Sequence, residues 1–364
     1  MVFLPYKITL LRHNLGTNRV AKFHIGIPTS LYQEDGSANF PTYVLKKLVS
    51  DPRVEISHFK SEPTLRAETI AGFDCIVLFS EKLVGQSFPT DGQLVHVAKM
   101  GVGYDTVDIA ACTANDVVIT ITPGAVRRPM AVATLCYMLA LTSNLFVKDQ
   151  MSRRGPEGWS ERIHHHGMGL TGRTLGIVGL GNIGSEIAEI TKPLDMELIA
   201  NDPYVSSEKA SNLGVTLVDL DDLFRTADII SLNCPLTDET RHLVDSKRLA
   251  LMKTTSYLIN TARGPVVDQA ALYHALKNKR IAGAGLDVQD PEPSGTDEDL
   301  NSLDNVVLAP HALGWTDEMF ANMARINESD IRSILLGKTP ENAVNREVFG
   351  RPGFQEKLRR RAGS

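Results

Sequence analysis

The stretch TLGIVGLGNIG, Thr174–Gly184, joins an apolar run to a glycine-rich turn and then to a helical pattern. Leu175, Ile177 and Val178 are side chains typical of a strand buried on both faces. The three glycines after them suit a tight turn, a close approach of the backbone to a pyrophosphate, and close packing of the next helix on the strand. A helix over residues 182–193 would point its free N–H groups at that pyrophosphate. The stretch therefore predicts a dinucleotide-binding βαβ unit.

An acidic residue follows at the position where the ribose of a dinucleotide would lie. Asp202 comes directly after the second predicted strand and 18 residues after Gly184. Its carboxylate would accept hydrogen bonds from two free ribose hydroxyls and would repel a 2′-phosphate. No arginine occurs in residues 203–207, so we predict NAD rather than NADP. The cofactor contacts predicted from this unit are Gly179, Gly181, Asn182, Ile183, Gly184 and Asp202.

Strand and helix patterns alternate on both sides of the motif. Before it we predict strands at residues 22–28, 54–59, 75–79, 94–98 and 117–120, and helices at 39–49 and 65–70. From the motif onward we predict six strands, at residues 175–179, 197–201, 229–232, 256–260, 283–287 and 306–309. Two longer helices are predicted at 131–145 and 317–336. This order predicts an α/β fold of two doubly wound domains.

The domain boundaries follow from the breaks in this pattern. Pro123-Gly124 is interpreted as the break between the two domains, and the last long helix, at residues 317–336, is predicted to return to the first domain. We therefore expect one discontinuous domain at residues 1–123 and 317–364 and a dinucleotide-binding domain at 124–316. Residues 1–20 are interpreted as an extension.

Composition limits the classes of partner. The chain has 364 residues, 43% apolar and 22% charged, with a formal net charge of −5. Nucleic acid is not expected as a partner, because the one basic cluster, Lys357–Arg361, is interpreted as a short solvated tail. Four widely spaced cysteines without a CxxC pair predict neither a disulfide framework nor a zinc site, and the run His164–His166 is interpreted as a solvated loop. Without an apolar run of about 18 residues or a signal peptide, we expect a cytoplasmic protein with no membrane partner.

Three polar residues follow predicted strands near the end of the dinucleotide-binding domain. Arg263 lies in INTARGPVVDQAAL, Glu292 in GAGLDVQDPEP and His311 in VVLAPHALGWTDE. An open α/β sheet binds its ligands at the carboxyl ends of its strands. These three residues are therefore candidates for an active site.

In these segments the sequence resembles the D-isomer-specific 2-hydroxyacid dehydrogenases. The likeness runs from about Ala98 to Asn345 and includes, in order, MGVGYDTVDIAA, ITPGA, GLGNIG, CPLTDETRHLV and PENAVN. The resemblance implies a flavodoxin-like substrate domain, a Rossmann NAD-binding domain, a cleft between them and a homodimer. It also implies an NAD-dependent oxidoreductase that interconverts a D-2-hydroxy acid and a 2-oxo acid.

By position, the resemblance assigns Arg263 to the carboxylate and carbonyl of a 2-oxo acid, His311 to acid/base catalysis, and Glu292 to holding the imidazole. The chemistry requires the same residue types. Histidine exchanges protons near neutral pH, a nearby carboxylate favours the imidazolium, and a guanidinium matches a carboxylate with two parallel hydrogen bonds. Glu292 is chosen over Asp290 because the family's acid stands five positions after the motif aspartate, Asp287.

Further positions are carried over from the family. Backbone N–H groups of Val102 and Gly103 are expected to bind the substrate carboxylate, although a plain tight turn would explain the same glycine-rich sequence. Additional cofactor contacts are expected at Pro235, Thr240, Thr261, Ala262, Asp287 and Gly314, where packing alone is the competing explanation. No metal is expected.

The chain departs from the family pattern before and after these motifs. Val126 and Val132 replace the usual asparagine and glutamate, and Arg127 and Arg128 lie between them. These arginines either recognise a second anionic group of the substrate or form a salt bridge at a domain or subunit boundary. Trp315 is either a wall of the ligand pocket or part of an interface or core.

The sequence does not identify the side chain of the 2-hydroxy acid substrate. Lys99, before the substrate turn, hints at a polar or anionic acid. Two other functions compete with the leading hypothesis: an NADH-sensing binding protein of the corepressor type, and a dehydrogenase of an unusual substrate, as in formate and phosphite dehydrogenases.

Overall fold

The computed structural model describes residues 22–295 and 299–362, so the expected extension at residues 1–20 lies outside the described residues. The chain divides into a first unit, Met1–Val126 with Thr316–Ser364, and a second unit, Arg127–Trp315. The chain passes from the first unit to the second inside a helix, not at Pro123-Gly124.

The strands are β1 Phe23–Pro28, β2 Val54–Phe59, β3 Cys75–Leu78, β4 His96–Lys99, β5 Val118–Thr120, β6 Thr174–Val178, β7 Glu197–Asn201, β8 Thr216–Leu217, β9 Ile229–Leu232, β10 Tyr257–Asn260, β11 Gly283–Leu286 and β12 Val306–Leu308. The helices are α1 Lys46–Val49, α2 Ala67–Ile70, α3 Ile109–Ala114, α4 Pro123–Thr142, α5 Leu145–Arg153, α6 Pro156–Glu161, α7 Asn182–Thr191, α8 Ser207–Asn212, α9 Leu220–Thr226, α10 Ser246–Leu251, α11 Gln269–Lys277, α12 Asp317–Leu335 and α13 Pro352–Ala362.

The first unit contains a five-stranded parallel sheet in the order β2-β1-β3-β4-β5, which is the flavodoxin-like order. Its fully buried strand β3 is an apolar run, as a strand covered on both faces requires. The neighbouring strand β4 is also fully buried, and it carries polar side chains at its two ends, His96 and Lys99. The segment after α12 returns to this sheet through Asn345, whose side chain accepts a hydrogen bond from the Ile119 N–H and donates one to the Val117 carbonyl.

The second unit contains a seven-stranded parallel sheet in the order β12-β11-β10-β9-β6-β7-β8. The strand order reverses between β6 and β9, which are neighbours. In open α/β sheets a dinucleotide binds at this switch point, beyond the carboxyl ends of the strands. The predicted fold class, two doubly wound α/β domains, is confirmed.

Several predicted elements differ from those in the structure. The helix predicted at 39–49 contains only α1, because Pro41 has no N–H to donate and Tyr43 forms a turn with the carbonyl of Phe40. The helix predicted at 131–145 begins at Pro123, a residue well suited to the first turn of a helix. The short strand β8 adds a seventh member to the six predicted strands.

The basic C-terminal segment is not a solvated tail. Phe354 and Leu358, one helical turn apart in α13, are buried. Lys357 is half-buried, and its Nζ donates to the carbonyls of Leu94 and Asn115 at 2.8 and 2.7 Å. The segment is thus a packed helix of the first unit.

Within the described ranges, no single helix has the length and apolar character needed to cross a membrane. Helices α4 and α5 meet that criterion only when taken together, and they are bent by 57° relative to each other.

Candidate active site

The three glycines after β6 each have a distinct geometric reason to be glycine. Gly179 has φ +89°, and a Cβ there would lie 2.9 Å from the backbone N of Cys234. A Cβ on Gly184 would lie 2.1 Å from the carbonyl oxygen of Gly179, so this glycine lets α7 pack closely against the turn. A Cβ on Gly181 would meet nothing within 4 Å. The turn is therefore tight on its protein side and open beside Gly181, as a cradle for a pyrophosphate requires.

Asp202 ties the end of β7 to this turn. Its Oδ2 accepts a hydrogen bond from the Leu180 N–H at 2.8 Å, and its Oδ1 accepts one from the Tyr204 N–H at 2.9 Å. Each carboxylate oxygen has a further lone pair, so two ribose hydroxyls can still be accepted. Because α7 starts at Asn182 with no side-chain cap, its first N–H groups are available to an anion. These residues fit NAD.

The loop after β9 contains the expected contacts Pro235 and Thr240. The hydroxyl of Thr240 donates to the Pro235 carbonyl at 2.6 Å and accepts a hydrogen bond from the Thr237 N–H at 2.7 Å. Thr240 thus closes its own loop, and its contact with the cofactor stays a prediction.

His311 and Glu292 form a hydrogen-bonded pair. Nδ1 of His311 lies 2.9 Å from Oε2 of Glu292, and the side chains are 47% and 38% exposed. Burial would raise the pKa of the Glu292 carboxyl, but the hydrogen bond and charge of His311, the Gln289 N–H and the charge of Arg263 outweigh it, so the pKa lies below its ordinary value. Asp290 is exposed, and its described hydrogen bond involves only its backbone N–H. Glu292, rather than Asp290, is therefore the partner of His311.

Asp287 fixes the loop that contains His311. Its carbonyl accepts a hydrogen bond from the His311 N–H at 2.7 Å, and its Oδ1 accepts bonds from the N–H groups of Ala312 and Leu313 at 2.9 and 3.0 Å. The carboxylate is buried, and His311 has a positive φ of 54°. This supporting role was not predicted from the sequence, which assigned Asp287 to the nicotinamide carboxamide; that contact stays a prediction.

Arg263 lies beside the same pair. It follows β10, its Nη1 donates to the Ala262 carbonyl at 2.7 Å, and its charge acts on Glu292. A Cβ on the next residue, Gly264, would lie 1.9 Å from the Gln289 carbonyl oxygen, so the Arg263 loop packs directly on the Glu292 loop. The structure thus brings Arg263, Glu292 and His311 together at the carboxyl ends of β10, β11 and β12.

Other predicted contacts are packed around this cluster. Thr261 is buried, with its hydroxyl 3.2 Å from that of Thr134 on α4. Gly314 is buried against Met130, whose sulfur a Cβ at Gly314 would approach to 2.3 Å. Trp315 is 45% exposed. Packing against Met130 therefore explains why residue 314 is a glycine. Cofactor contact at Thr261, Ala262 and Gly314 stays a prediction.

The predicted substrate turn lies in the first unit. Gly101 has φ +96°, and its N–H donates to the Thr122 hydroxyl at 2.9 Å. Val102 and Gly103 follow it and are half-buried. Lys99, at the end of β4, is buried with its Nζ directed to the carbonyls of Phe79 and Met100.

Glu186 on α7 is a residue that the sequence did not single out. It is 1% exposed and forms ion pairs with both Arg127 and Arg128. Of the two alternatives for these arginines, the structure favours a salt bridge, and it lies within the second unit. In the described part of the chain, no group of three or more His, Cys, Asp or Glu side chains could hold a metal.

The family model for the NAD-binding domain of D-isomer-specific 2-hydroxyacid dehydrogenases matches residues 135–312. A glyoxylate reductase from Aeropyrum pernix is 41% identical over 265 residues, 71% of this chain and 79% of that protein. One from Korarchaeum cryptofilum is 37% identical over 79% of this chain and 88% of that protein. The structure of Rhodotorula graminis D-mandelate dehydrogenase is similar with a TM-score of 0.74 and 28% identity, covering 89% of this chain and 98% of that one.

Proposed function

The chain belongs to the D-isomer-specific 2-hydroxyacid dehydrogenase family, and on that basis we propose that His311 is the acid/base of the reaction and Arg263 the substrate-binding cation. The protein is an NAD-dependent oxidoreductase that acts on 2-hydroxy and 2-oxo acids. The observation that supports the residue roles best is the pair of His311 and Glu292 beside Arg263, at the end of a sheet that carries a dinucleotide-binding turn.

When bound, NAD supplies or accepts the hydride at C2 of the acid. The proton must reach or leave the C2 oxygen in the same reaction, and this is the task of the imidazole. Because Nδ1 of His311 is bound to Glu292, Nε2 is the atom that can exchange the proton with substrate. The Glu292 carboxylate fixes the ring and stabilises its protonated form.

Arg263 serves the charged end of the substrate. Its planar guanidinium can pair with the carboxylate and can stabilise negative charge on the C2 oxygen as the carbonyl is reduced. We further propose that the backbone N–H groups of Val102 and Gly103 bind the same carboxylate. In the cofactor site, we assign the pyrophosphate to the turn from Gly179 to Gly184 and the ribose to Asp202.

Glyoxylate is the first substrate to test, because the two relatives compared above are named for it. A screen of NADH consumption with glyoxylate, hydroxypyruvate, pyruvate, phenylpyruvate and phosphorylated 2-oxo acids should show steady turnover with at least one acid. His311→Ala should lower kcat by about 10²- to 10⁴-fold, with NADH binding retained. NADH binding without turnover of any acid would favour the sensor alternative, and full activity of His311→Ala would refute the acid/base assignment.

We also propose a homodimer. The second unit exposes large apolar side chains on α4, α5 and α6 and just after α6, which in a lone chain would face water: Val132, Leu139, Leu145, Phe146, Trp159 and Ile163. Clusters of exposed apolar side chains of this kind mark interaction surfaces. Light scattering on the purified protein should give twice the mass of the chain, and a monomer at micromolar concentration would refute the proposal. The absence of nucleic-acid and membrane partners and a cytoplasmic location stay predictions.

A further inference from the structure

The helix that follows the glycine-rich turn carries an unusual buried charge. Glu186 is on α7, one helical turn after Asn182, and its side chain is 1% exposed. An isolated buried carboxylate is costly, so it must be paired. Its Oε2 accepts a hydrogen bond from Nε of Arg127 and forms an ion pair with Nη2 of the same side chain. Its Oε1 forms an ion pair with Arg128, whose Nε lies 2.6 Å away. One carboxylate therefore holds two guanidinium groups.

This cluster keeps an excess of positive charge. Two guanidinium groups and one carboxylate leave a net charge of one, and the arginine side chains remain 54% and 55% exposed. In the part of the chain that the structure describes, Nη1 of Arg127 has no protein acceptor. The start of α7 adds the positive end of its dipole beside the cluster. An anion at this place would be stabilised by both.

Arg127 also lines an open cavity that runs along α7 from Asn182 to Glu189, whereas Arg128 does not line it. The cavity has a volume of about 640 Å³ and lies between α7 and α8, with Arg127, Asn182, Ser185 and Lys209 among its polar walls. Glu189 and Glu208 also line it; Glu189 is paired with Lys192 at 2.7 Å, and Glu208 is offset by Lys209. Arg127 thus pairs with Glu186 and lines the same cavity as Asn182, the first residue of α7.

We propose that Arg127 is a cofactor-binding residue that contacts the NAD pyrophosphate, and that buried Glu186 positions it. The inference rests on the NAD cofactor and on the pyrophosphate site assigned to the glycine-rich turn. Holding the guanidinium in place before binding removes the cost of ordering a long side chain. Arg128 is the second cation that neutralises Glu186. This assignment replaces the earlier alternative in which these arginines recognise a second anionic group of the substrate.

Two probes separate the pyrophosphate from the rest of the cofactor. ADP-ribose contains the pyrophosphate and lacks the nicotinamide, whereas adenosine contains neither phosphate. Calorimetric titration of Arg127→Met should show ADP-ribose binding weakened about tenfold or more, since a charge-assisted hydrogen bond is lost. Adenosine affinity should change less than twofold. Arg128→Met, which removes a guanidinium from the same carboxylate, is the matched control and should change both affinities less than twofold.

The substrate side supplies a second readout. At saturating NADH, the KM of Arg127→Met for the 2-oxo acid should equal that of the wild type. A raised KM with unchanged ADP-ribose affinity would mean that Arg127 binds the substrate, and equal losses in the two arginine variants, together with a lower Tm, would mean a purely structural ion pair. Either result would overturn the proposal.

Two further variants keep the test decisive. Glu186→Gln should weaken ADP-ribose binding less than Arg127→Met does, because the cation remains but is no longer held. If Arg127→Met does not fold, Arg127→Met combined with Glu186→Met removes the buried charge with its partner and should show the same loss of ADP-ribose affinity. Failure of the wild type to bind ADP-ribose would refute the NAD site itself, whereas wild-type binding with an unaffected Arg127→Met would refute only the role of Arg127.

Discussion

Replacing Glu292 by glutamine tests the acid/base assignment at its most specific point. The amide keeps the size of the side chain and can still accept the hydrogen bond from Nδ1 of His311, but it removes the negative charge 2.9 Å from that nitrogen. With charge centres about 4 Å apart, the pair is worth about 1 kcal/mol in water and about 4 kcal/mol at an effective dielectric constant near 20. The side chains are 47% and 38% exposed, so solvent screening puts the value near the lower figure.

A loss of about 1 kcal/mol in the stability of the imidazolium corresponds to a displacement of about 0.7 pH unit. The pKa of Glu292 lies below its ordinary value of 4.5, so in the wild type the carboxylate is charged throughout pH 6–10 and its effect is constant there. Reduction of the 2-oxo acid needs protonated His311, and without the carboxylate the imidazolium is less stable. The alkaline limb of the kcat/KM profile for reduction should therefore move about 0.7 unit to lower pH in Glu292→Gln.

The assay is NADH oxidation with the best 2-oxo acid, measured from pH 6 to pH 10 at constant ionic strength. Asp290→Asn is the matched control, because this acid lies two positions away and is exposed, and its profile should coincide with that of the wild type. A Glu292→Gln profile that is lower at every pH but not displaced would show that Glu292 only positions the ring. A displacement of equal size in Asp290→Asn would refute the specific pairing.

Three other substitutions test the site and its scaffold. Arg263→Lys keeps the charge but loses the planar pair of donors, so kcat/KM for the 2-oxo acid should fall by about 10- to 100-fold, with the KM for NADH unchanged; a fall below twofold would argue against carboxylate binding. Asp202→Ser should reduce the preference for NADH over NADPH by about tenfold or more, measured as the ratio of kcat/KM values, because the repulsion of a 2′-phosphate is lost. Gly184→Ala should destabilise the protein by about 1–3 kcal/mol in urea unfolding, because its Cβ would lie 2.1 Å from the Gly179 carbonyl oxygen. Gly181→Ala, with no atom within 4 Å of the new Cβ, should keep the wild-type stability and bind NADH more weakly; the reverse order of stabilities would contradict the geometry of the turn.

The parts of the fold that could be predicted are those in which neighbouring residues determine the structure. Strand β6 and helix α7 are specified by a buried apolar run, three glycines and a helical pattern within one short stretch. The predicted start of α4, at residue 131, is wrong. Pro123-Gly124 is typical of a break between elements, but proline is also well accepted in the first turn of a helix, and α4 begins at Pro123. Strand β8 has two residues, too few for any periodic pattern.

The C-terminal helix has an apolar spacing in the sequence as well as a basic cluster. The charge of Lys357–Arg361 alone predicts a solvated tail, but Phe354 and Leu358 have the spacing of one apolar helix face, and both are buried. That spacing would have predicted a docked helix. The two carbonyls that Lys357 binds, those of Leu94 and Asn115, lie more than 240 positions away, so its individual contacts follow only from the tertiary structure.

The residues of the site also differ in whether neighbouring sequence or tertiary contacts determine their role. His311, Glu292 and Arg263 could be found because each follows a strand of its own, because parallel strands bring their ends to one edge of the sheet, and because the family resemblance assigns these positions. Glu186 could not, because its meaning depends on Arg127, 59 positions earlier and on another helix. Taken alone, the negative charge of Glu186 on α7 would disfavour binding of a pyrophosphate at the start of that helix. The guanidinium groups of Arg127 and Arg128, which pair with Glu186, make the local net charge positive. The sign of the electrostatic field at the cofactor site is thus a property of the tertiary structure, even where the residues that bind the cofactor can be read from the sequence.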